Sequence, residues 1–166
     1  MSEREVILDK VRLNYEGLFS IPDLYRTIDE WFEEKNYDKR ELKNIERVSA
    51  DGKYIEIELL PWKKVSDYAK NEIRLRIIMT NIKDVEVEKD GVKVKLNQGS
   101  LQIVFDGYLT TDYENRWEGK PVFFFLRTIF DKYFYRPFQS GFQSGVKRDV
   151  LELRDKIKAL LNLQRF

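Results

Sequence analysis

Two of the Asp-Gly pairs in this chain constrain its fold more than any other feature of its sequence. Asp51-Gly52 lies inside KNIERVSADGKYIEIELL, and Asp90-Gly91 lies inside VEVEKDGVKVKL. Apolar and polar residues alternate on both sides of each pair, which is the period of a strand with one buried face. Asp-Gly is a strong signal for the tight turn of a β-hairpin. The two pairs therefore predict two antiparallel hairpins.

A helix is predicted before the first hairpin, in SIPDLYRTIDEWFEEKNYD. Ser20 followed by Asp23 resembles a capping box, and Pro22 falls in the first turn, where its missing N–H is tolerated. The apolar residues recur at helical spacing and comprise Leu24, Ile28, Trp31 and Phe32. This pattern predicts an amphipathic helix that ends near Asn36.

Further alternating runs extend the predicted sheet. Glu5 to Tyr15 forms one run, and Asn71–Thr80 forms another. The tetrapeptide NQGS is typical of a turn, and LQIVFDGYLT after it is a further strand-like run. Together these runs predict six strands after the first helix, within a mainly antiparallel, curved sheet of six to seven strands.

The segment KPVFFFLRTIFDKYFYRPF, residues 120–138, is unusually aromatic. It is too short and too charged to span a membrane, which takes about 20 largely apolar residues. A proline near each end bounds a predicted helix over about 122–135, whose wide apolar stripe is expected to pack on the sheet. The fold class predicted is therefore α+β, with the sheet packed on a long aromatic helix.

Two rings of this predicted helix do not fit the buried stripe. Phe124 and Tyr135 fall on the polar arc, beside Arg127 and Asp131. Either the last helix folds back and covers the two rings, or they contact a ligand, a protein partner or a second copy. These four residues are therefore candidates for a binding site.

The C-terminal segment begins with the tandem repeat in RPFQSGFQSG. Its glycines predict a loop over 136–146, followed by a last helix over 147–163. In that helix Glu152 and Lys156 are spaced for an i,i+4 ion pair. A narrow apolar stripe comprises Val146, Val150, Leu153, Ile157 and Leu160. Such a stripe suits one helix–helix seam, either internal or between two copies of a homodimer.

The order strand, helix, antiparallel strands and long helix resembles the helix-grip layout of the START and polyketide-cyclase-like superfamily. The resemblance covers residues 5–135 of a single domain spanning 1–166. It implies an apolar cavity between the sheet and the long helix, where the family binds lipids, hormones or polyketides. The chain departs from that layout in having one helix after the first strand instead of two, and an extra C-terminal helix. The opening YEGLFSIPDLYRTIDEWFEEKNYD also resembles uncharacterised archaeal proteins.

Composition narrows the chemistry. The chain has no histidine and no cysteine, which removes Ser-His-Asp and Cys-His catalysis and nearly every common zinc site. No phosphate-binding loop, dinucleotide-binding motif or metalloprotease motif is present. We therefore expect no catalytic residue, no cofactor and no metal. The absence of cysteine and of an apolar leader fits a cytoplasmic protein.

Charge is spread unevenly along the chain. The whole chain carries a formal charge of +1, but residues 120–166 hold ten Lys/Arg against four Asp/Glu, so 10 − 4 = +6. Basic residues that interleave with aromatic ones can neutralise phosphates while the rings stack on unpaired bases. The nucleic-acid candidates in this segment are Arg127, Lys132, Arg136, Lys147 and Arg148.

Three candidates lie outside the C-terminal segment. Arg74 and Arg76 project from the same side of a predicted strand and could form an anion site, and Trp62 could stack on a base or a sugar. The first functional hypothesis is a non-enzymatic binding module that holds an apolar small molecule or contacts a protein partner. The alternative is an RNA- or ribosome-associated protein that uses the basic, aromatic C-terminal segment. No membrane span is predicted in either case.

Overall fold

The structure is a computed structural model that describes residues 2–111, 125, 128–129 and 136–163. The strands are β1 (Glu3–Phe19), β2 (Glu41–Ser49), β3 (Gly52–Leu59), β4 (Trp62–Lys64), β5 (Ala69–Lys89) and β6 (Val92–Thr111), and the long helices are α1 (Ile21–Glu34) and α2 (Arg136–Leu163). The six strands form one antiparallel sheet in the order β1-β6-β5-β3-β2, and β4 pairs with β5. The predicted α+β class with an antiparallel sheet is confirmed.

Both predicted hairpins are present. Ser49 pairs with Gly52 across the first turn, and Lys89 pairs with Val92 across the second. In the second turn Asp90 has a φ of 52°, in the left-handed region that an Asp-Gly turn requires. The turn chemistry of the sequence therefore predicts both of these chain reversals correctly.

The strand count after α1 is five, not six, among the described residues. Asn71–Thr80 and the run VEVEK are two parts of β5, and NQGS lies inside β6 instead of forming a turn. The short strand β4 was not predicted from the sequence. The meander is thus built from fewer and longer strands than the turn signals indicated.

NQGS stays extended because its glycine faces an irregularity in the neighbouring strand. Asn81 of β5 has a φ of 55°, and the β5–β6 register shifts between Thr80 and Lys83. A Cβ at Gly99 would lie 2.8 Å from the Thr80 carbonyl oxygen and 2.6 Å from Cδ1 of Ile82. Only glycine lets β6 pass this bulge at such close range. Gly99 therefore allows β6 and β5 to lie close together and does not form a chain reversal.

The first helix matches its prediction. The Ser20 hydroxyl oxygen accepts a hydrogen bond from the Asp23 backbone N–H at 3.2 Å, which satisfies one of the unpaired donors at the helix start. The predicted apolar residues are all buried, namely Leu24, Ile28, Trp31 and Phe32. The helix ends at Glu34, and Asn36 follows with a φ of 59°. Capping and spacing together determine this element.

The predicted loop over 136–146 is wrong, because α2 begins at Arg136 and runs through both FQSG copies. Pro137 falls in its first turn, where a missing N–H does little harm. A glycine inside a helix costs only about 1 kcal/mol relative to alanine, so a well-packed helix can contain two. Packing of the following turns on the sheet outweighs this cost at Gly141 and Gly145.

The apolar stripe of α2 is the main contact between helix and sheet. Val146, Val150, Leu153 and Ile157 are fully buried, while Leu161 is more buried than the predicted Leu160. This seam is internal: the stripe joins the core cluster formed by the inner face of the sheet and α1. Contacts within one chain therefore account for the burial of these residues.

The long aromatic helix predicted over 122–135 lies mostly outside the described residues. Three of its positions are described, and Phe125 and Ile129 are 66% and 39% exposed. The apolar stripe of the sequence predicts both side chains to be buried, and this prediction is wrong at these positions. The inner face of the sheet, where they were expected to pack, is covered by α1 and α2.

Among the helices of the described residues, none combines the length and the apolarity that crossing a bilayer requires.

Replacing Gly99 by alanine should lower the free energy of unfolding by about 1–3 kcal/mol, because the new Cβ overlaps backbone carbonyl oxygens. The matched control is Gly141→Ala, where a Cβ meets nothing within 4 Å. That change should raise the free energy of unfolding by about 0.5–1 kcal/mol, because alanine favours the helix. Urea denaturation of both variants checks the pair. Opposite signs support the assignments of strand and helix, and equal effects contradict them.

Candidate functional site

Two acidic residues of α2, Asp149 and Glu152, contact the body of the protein, whereas Asp155 is exposed. Asp149 is the most buried of its acids, with 3% of its side chain exposed. Its Oδ2 atom accepts a hydrogen bond from the Tyr37 hydroxyl at 2.8 Å and an ion-pair contact from Lys63 Nζ at 3.1 Å. A buried carboxylate is tolerated only when such partners compensate for lost hydration. Asp149 therefore fixes α2 to the chain that follows α1 and to β4.

Tyr37 is held in place by its own surroundings. The Tyr37 ring stacks on the Trp31 ring, with the two centroids 5.5 Å apart. The Lys63 ammonium lies 4.6 Å from the centroid of the Tyr37 ring. Burial, and then the charge of Asp149, raise the pKa of the Tyr37 hydroxyl well above its usual value. The phenol therefore stays neutral and acts as a hydrogen-bond donor throughout the physiological pH range.

Glu152 forms a second link between α2 and α1, one helical turn from Asp149. Its Oε1 accepts a hydrogen bond from Trp31 Nε1 at 3.3 Å and pairs with Lys35 Nζ at 2.8 Å. The hydrogen bond from Lys35 lowers the pKa of the Glu152 carboxyl and raises the pKa of the Lys35 ammonium. The i,i+4 pair predicted with Lys156 is not the contact observed, because Lys156 reaches Glu34 at 3.1 Å.

The cations of α2 remain on its outer side. Arg148 has 75% of its side chain exposed, and its Nε lies 3.8 Å from Asp149. Lys147 and Lys158 are also exposed. The third acid, Asp155, pairs with Arg154 at 2.7 Å. Because Asp149 is buried and Glu152 is paired with Lys35, the outer surface of α2 is more basic than its composition indicates.

This surface carries an open groove of about 880 Å³, called the basic groove here. Its lining consists of Ser144, Lys147, Arg148, Leu151, Glu152, Asp155 and Lys156. Both acids in the lining already have cationic partners, Lys35 for Glu152 and Arg154 for Asp155. Leu151 supplies an apolar strip between the cations. Among the cations of the lining, Lys156 pairs with Glu34, so the available positive charge beside Leu151 comes from Lys147 and the exposed Arg148.

The structure brings two of the nucleic-acid candidates together in this groove, Lys147 and Arg148. Arg136 is the first residue of α2. The remaining candidates of the aromatic segment lie outside the described residues, namely Phe124, Arg127, Asp131, Lys132 and Tyr135. For them the predictions stay predictions.

Arg74 and Arg76 form ion pairs within the sheet. Arg74 Nε donates to Oε1 of Glu58, and this hydrogen bond raises the pKa of the guanidinium. Arg76 Nη2 donates to Oδ2 of Asp106 at 3.3 Å, and Asp106 is itself buried. The charge of each arginine is therefore partly neutralised by a neighbouring carboxylate. An anion would bind less favourably here than beside two arginines without acidic partners.

Trp62 closes the end of the sheet. It lies in β4 opposite Glu72 of β5, and its backbone also bridges to Asp38. The Lys70 ammonium lies 5.7 Å from the centroid of its ring, within the range of a cation–π contact. The ring is partly exposed but is not part of the basic groove.

Sequence reasoning missed the residues that orient α2. Tyr37, Lys63 and Lys35 were not singled out, although one signal was present. Asp149 follows Val146 by three residues and directly precedes Val150, so it falls within the apolar stripe. An acid at such a position predicts a buried partner, but the sequence does not indicate which one.

Comparisons with known proteins give no further assignment: no protein-family model, no curated protein and no solved structure matches this chain. The site is therefore interpreted from its own geometry.

Replacing Tyr37 by phenylalanine should lower the free energy of unfolding by about 1–2 kcal/mol, because a buried carboxylate loses a donor. A double-mutant cycle with Asp149→Ala should give a coupling energy on the order of 1 kcal/mol. Tyr54→Phe is the matched control, since the Tyr54 hydroxyl donates to Glu56 at 3.1 Å in a partly exposed position. It should cost less than about 0.5 kcal/mol. Urea unfolding measures all four variants, and a zero coupling would contradict the anchoring role of Asp149.

The stabilisation by Glu152 should depend on pH. Its folded pKa is lowered below the ordinary value of 4.5, so its contribution is complete above that value and is lost as pH falls through the folded pKa. Glu152→Gln should therefore lower the free energy of unfolding at neutral pH by about 0.5 kcal/mol, after solvent screening, and by less at acidic pH. Glu33→Gln, on the exposed side of α1, is the control. A pH-independent difference would refute the ion pair with Lys35.

Proposed function

We propose that this protein is a non-enzymatic binding module that binds single-stranded RNA along the outer surface of α2. The observation that carries the proposal is the sorting of charge on this helix. Asp149 turns inward onto Tyr37, and Glu152 is paired with Lys35, while Lys147 and Arg148 line an open groove. Cations concentrated on one helix surface attract phosphates and release their counterions.

The shape of the basic groove also favours an extended chain. It is open along α2 and runs over about three helical turns, from Ser144 to Lys156. A single strand can follow such a surface and place successive phosphates near successive cations. Leu151 offers the only apolar contact among its lining residues, so strong base stacking must come from elsewhere. The aromatic segment that directly precedes α2, with Phe124 and Tyr135, is the predicted source of that stacking.

The net charge of the chain predicts how tightly RNA binds. With a total of +1, the protein as a whole provides little long-range attraction, so binding depends on the local patch. For single strands the logarithm of the affinity falls by about 0.7 per phosphate contact for each tenfold rise in salt. We therefore expect modest affinity at low salt and a steep loss as salt increases.

An apolar ligand held between sheet and helix is the other hypothesis from the sequence. In the described residues the inner face of the sheet is occupied by the chain's own side chains, among them Trp31, Phe32 and Phe105. The cavity in that hypothesis depends on the segment 122–135, which lies mostly outside those residues. It stays a prediction, and RNA binding is the function that the described geometry favours.

Fluorescence anisotropy of a labelled, unstructured RNA tests the proposal directly. Binding should weaken steeply between about 50 mM and 200 mM salt. Lys147→Glu combined with Arg148→Glu should lower the affinity at least about tenfold, because two contacts become repulsive, and should reduce the salt slope by about 1.4.

The control is Lys93→Glu combined with Lys95→Glu, which makes the same change in net charge at the exposed tip of the second hairpin. It should leave the affinity within about twofold of the parent protein, since the Debye length at physiological salt is only about 8 Å. Equal losses for both double variants, or binding that ignores salt, would overturn the proposal.

A further inference from the structure

The face of the sheet opposite α1 and α2 is divided into two chemically different halves. In one half the charged side chains have partners within the sheet: Glu58 with Arg74, Asp106 with Arg76, and Glu72 with Thr110 and Lys70. These pairs compensate the charges of the groups within the sheet itself. This half is stabilised by its own contacts.

The other half forms a hollow on β1, β6 and β5, called the polar groove here. Cross-strand register places its residues in two rows, Asn14–Gln102–Ile78 and Glu16–Ser100–Thr80. Side chains in register on one face of a sheet are neighbours. The β6 and β5 residues are half-buried and form the floor, while Asn14 and Glu16 are exposed and form a rim.

The polar groove is large enough for a small ligand. It consists of two adjoining hollows of about 390 and 480 Å³, and Glu16 and Ser100 line both. The second hollow continues past the bulge at Asn81 toward Asp51 and Lys83. Volumes of this size lie within the range of known small-molecule sites.

The polar side chains of this groove are not engaged with each other. Within the described part of the chain, no side-chain hydrogen bond is formed by Asn14, Glu16, Thr80, Gln98, Ser100 or Gln102. Six such side chains around the polar groove contrast with the paired half of the same face. Their donors and acceptors are available to a ligand in the groove.

We propose that the polar groove binds a saccharide. Amides and hydroxyls both donate and accept hydrogen bonds, which matches the hydroxyl groups of a sugar. The Glu16 carboxylate can accept two neighbouring sugar hydroxyls, and hydrogen bonds to an ionised acceptor are the stronger kind. Ile78 in the floor supplies an apolar contact for the C–H face of a sugar ring.

Two other ligand classes fit this groove less well. An anion would meet the carboxylate of Glu16 at the centre and a single cation, Lys83, at the far end. An extended peptide binds a sheet by adding a strand to an open edge. The floor strands have no open edge here, because β6 lies between β1 and β5, and β5 lies between β6 and β3.

Saturation-transfer difference NMR tests this site with maltotetraose, cellotetraose, chitotetraose and mannotetraose, each added separately to the full chain. At least one sugar should receive saturation from the protein. In the ¹H–¹⁵N spectrum its addition should shift the side-chain amide signals of Asn14, Gln98 and Gln102 and leave those of the α2 residue Gln143 unchanged. Absence of transfer to all four sugars, or shifts centred elsewhere, would overturn the proposal.

Two variants locate the binding. Glu16→Gln should weaken the sugar about tenfold, because a charged acceptor is replaced by a neutral one. Glu86→Gln, the same change on an exposed position of the second hairpin, should have no effect. Ser100→Trp should fill the floor and abolish binding, with the ¹H–¹⁵N spectrum showing whether the fold is retained. Equal affinity of the Glu16 and Glu86 variants would contradict the site. RNA binding, which uses the opposite side of the protein, should be unchanged in the Glu16→Gln and Ser100→Trp variants.

Discussion

The orientation of α2 depends on one buried carboxylate. Asp149 lies in the apolar stripe of the helix, and removing such a group from water costs several kcal/mol unless partners replace its hydration. The Tyr37 hydroxyl and the Lys63 ammonium provide those partners. Because only one rotation of α2 about its axis brings Asp149 to both of them, the same contact determines which side chains face outward. The basic groove is a consequence of this constraint.

The sheet supports two unlike surfaces on its two sides. Its inner face is apolar and is covered by α1 and α2. The helix α2 comes so close at Gly107 that Val146 Cγ1 would lie 2.8 Å from a Cβ at that position. Its other face carries ion pairs at one end and unengaged amides and hydroxyls at the other. The proposed RNA and saccharide sites therefore lie on opposite sides of the protein and can be tested independently.

Local rules predicted the local features of this chain well. The cap at Ser20, the spacing of α1 and the two Asp-Gly turns depend on neighbouring residues, so the sequence specifies them directly. NQGS and FQSG were misjudged because glycine has the same signature in a turn, at a bulge and in a helix that packing stabilises. The contact between Tyr37 and Asp149 joins residues 112 positions apart, and one sequence carries no local signal for such a partner. Lys147 and Arg148 were found because charge patterning is a property of composition, whereas their inward-turned acidic neighbours were not.

Carboxyl footprinting of the native protein tests the orientation of α2 most directly. Carbodiimide-activated coupling of glycine ethyl ester labels carboxylates according to their accessibility, and mass spectrometry locates the label. Asp149 and Asp155 lie in the same helix, with 3% and 62% of their side chains exposed, so each serves as a reference for the other. The account predicts rapid labelling of Asp155 and strong protection of Asp149 that disappears on unfolding. Comparable labelling of the two residues in the folded protein would contradict it.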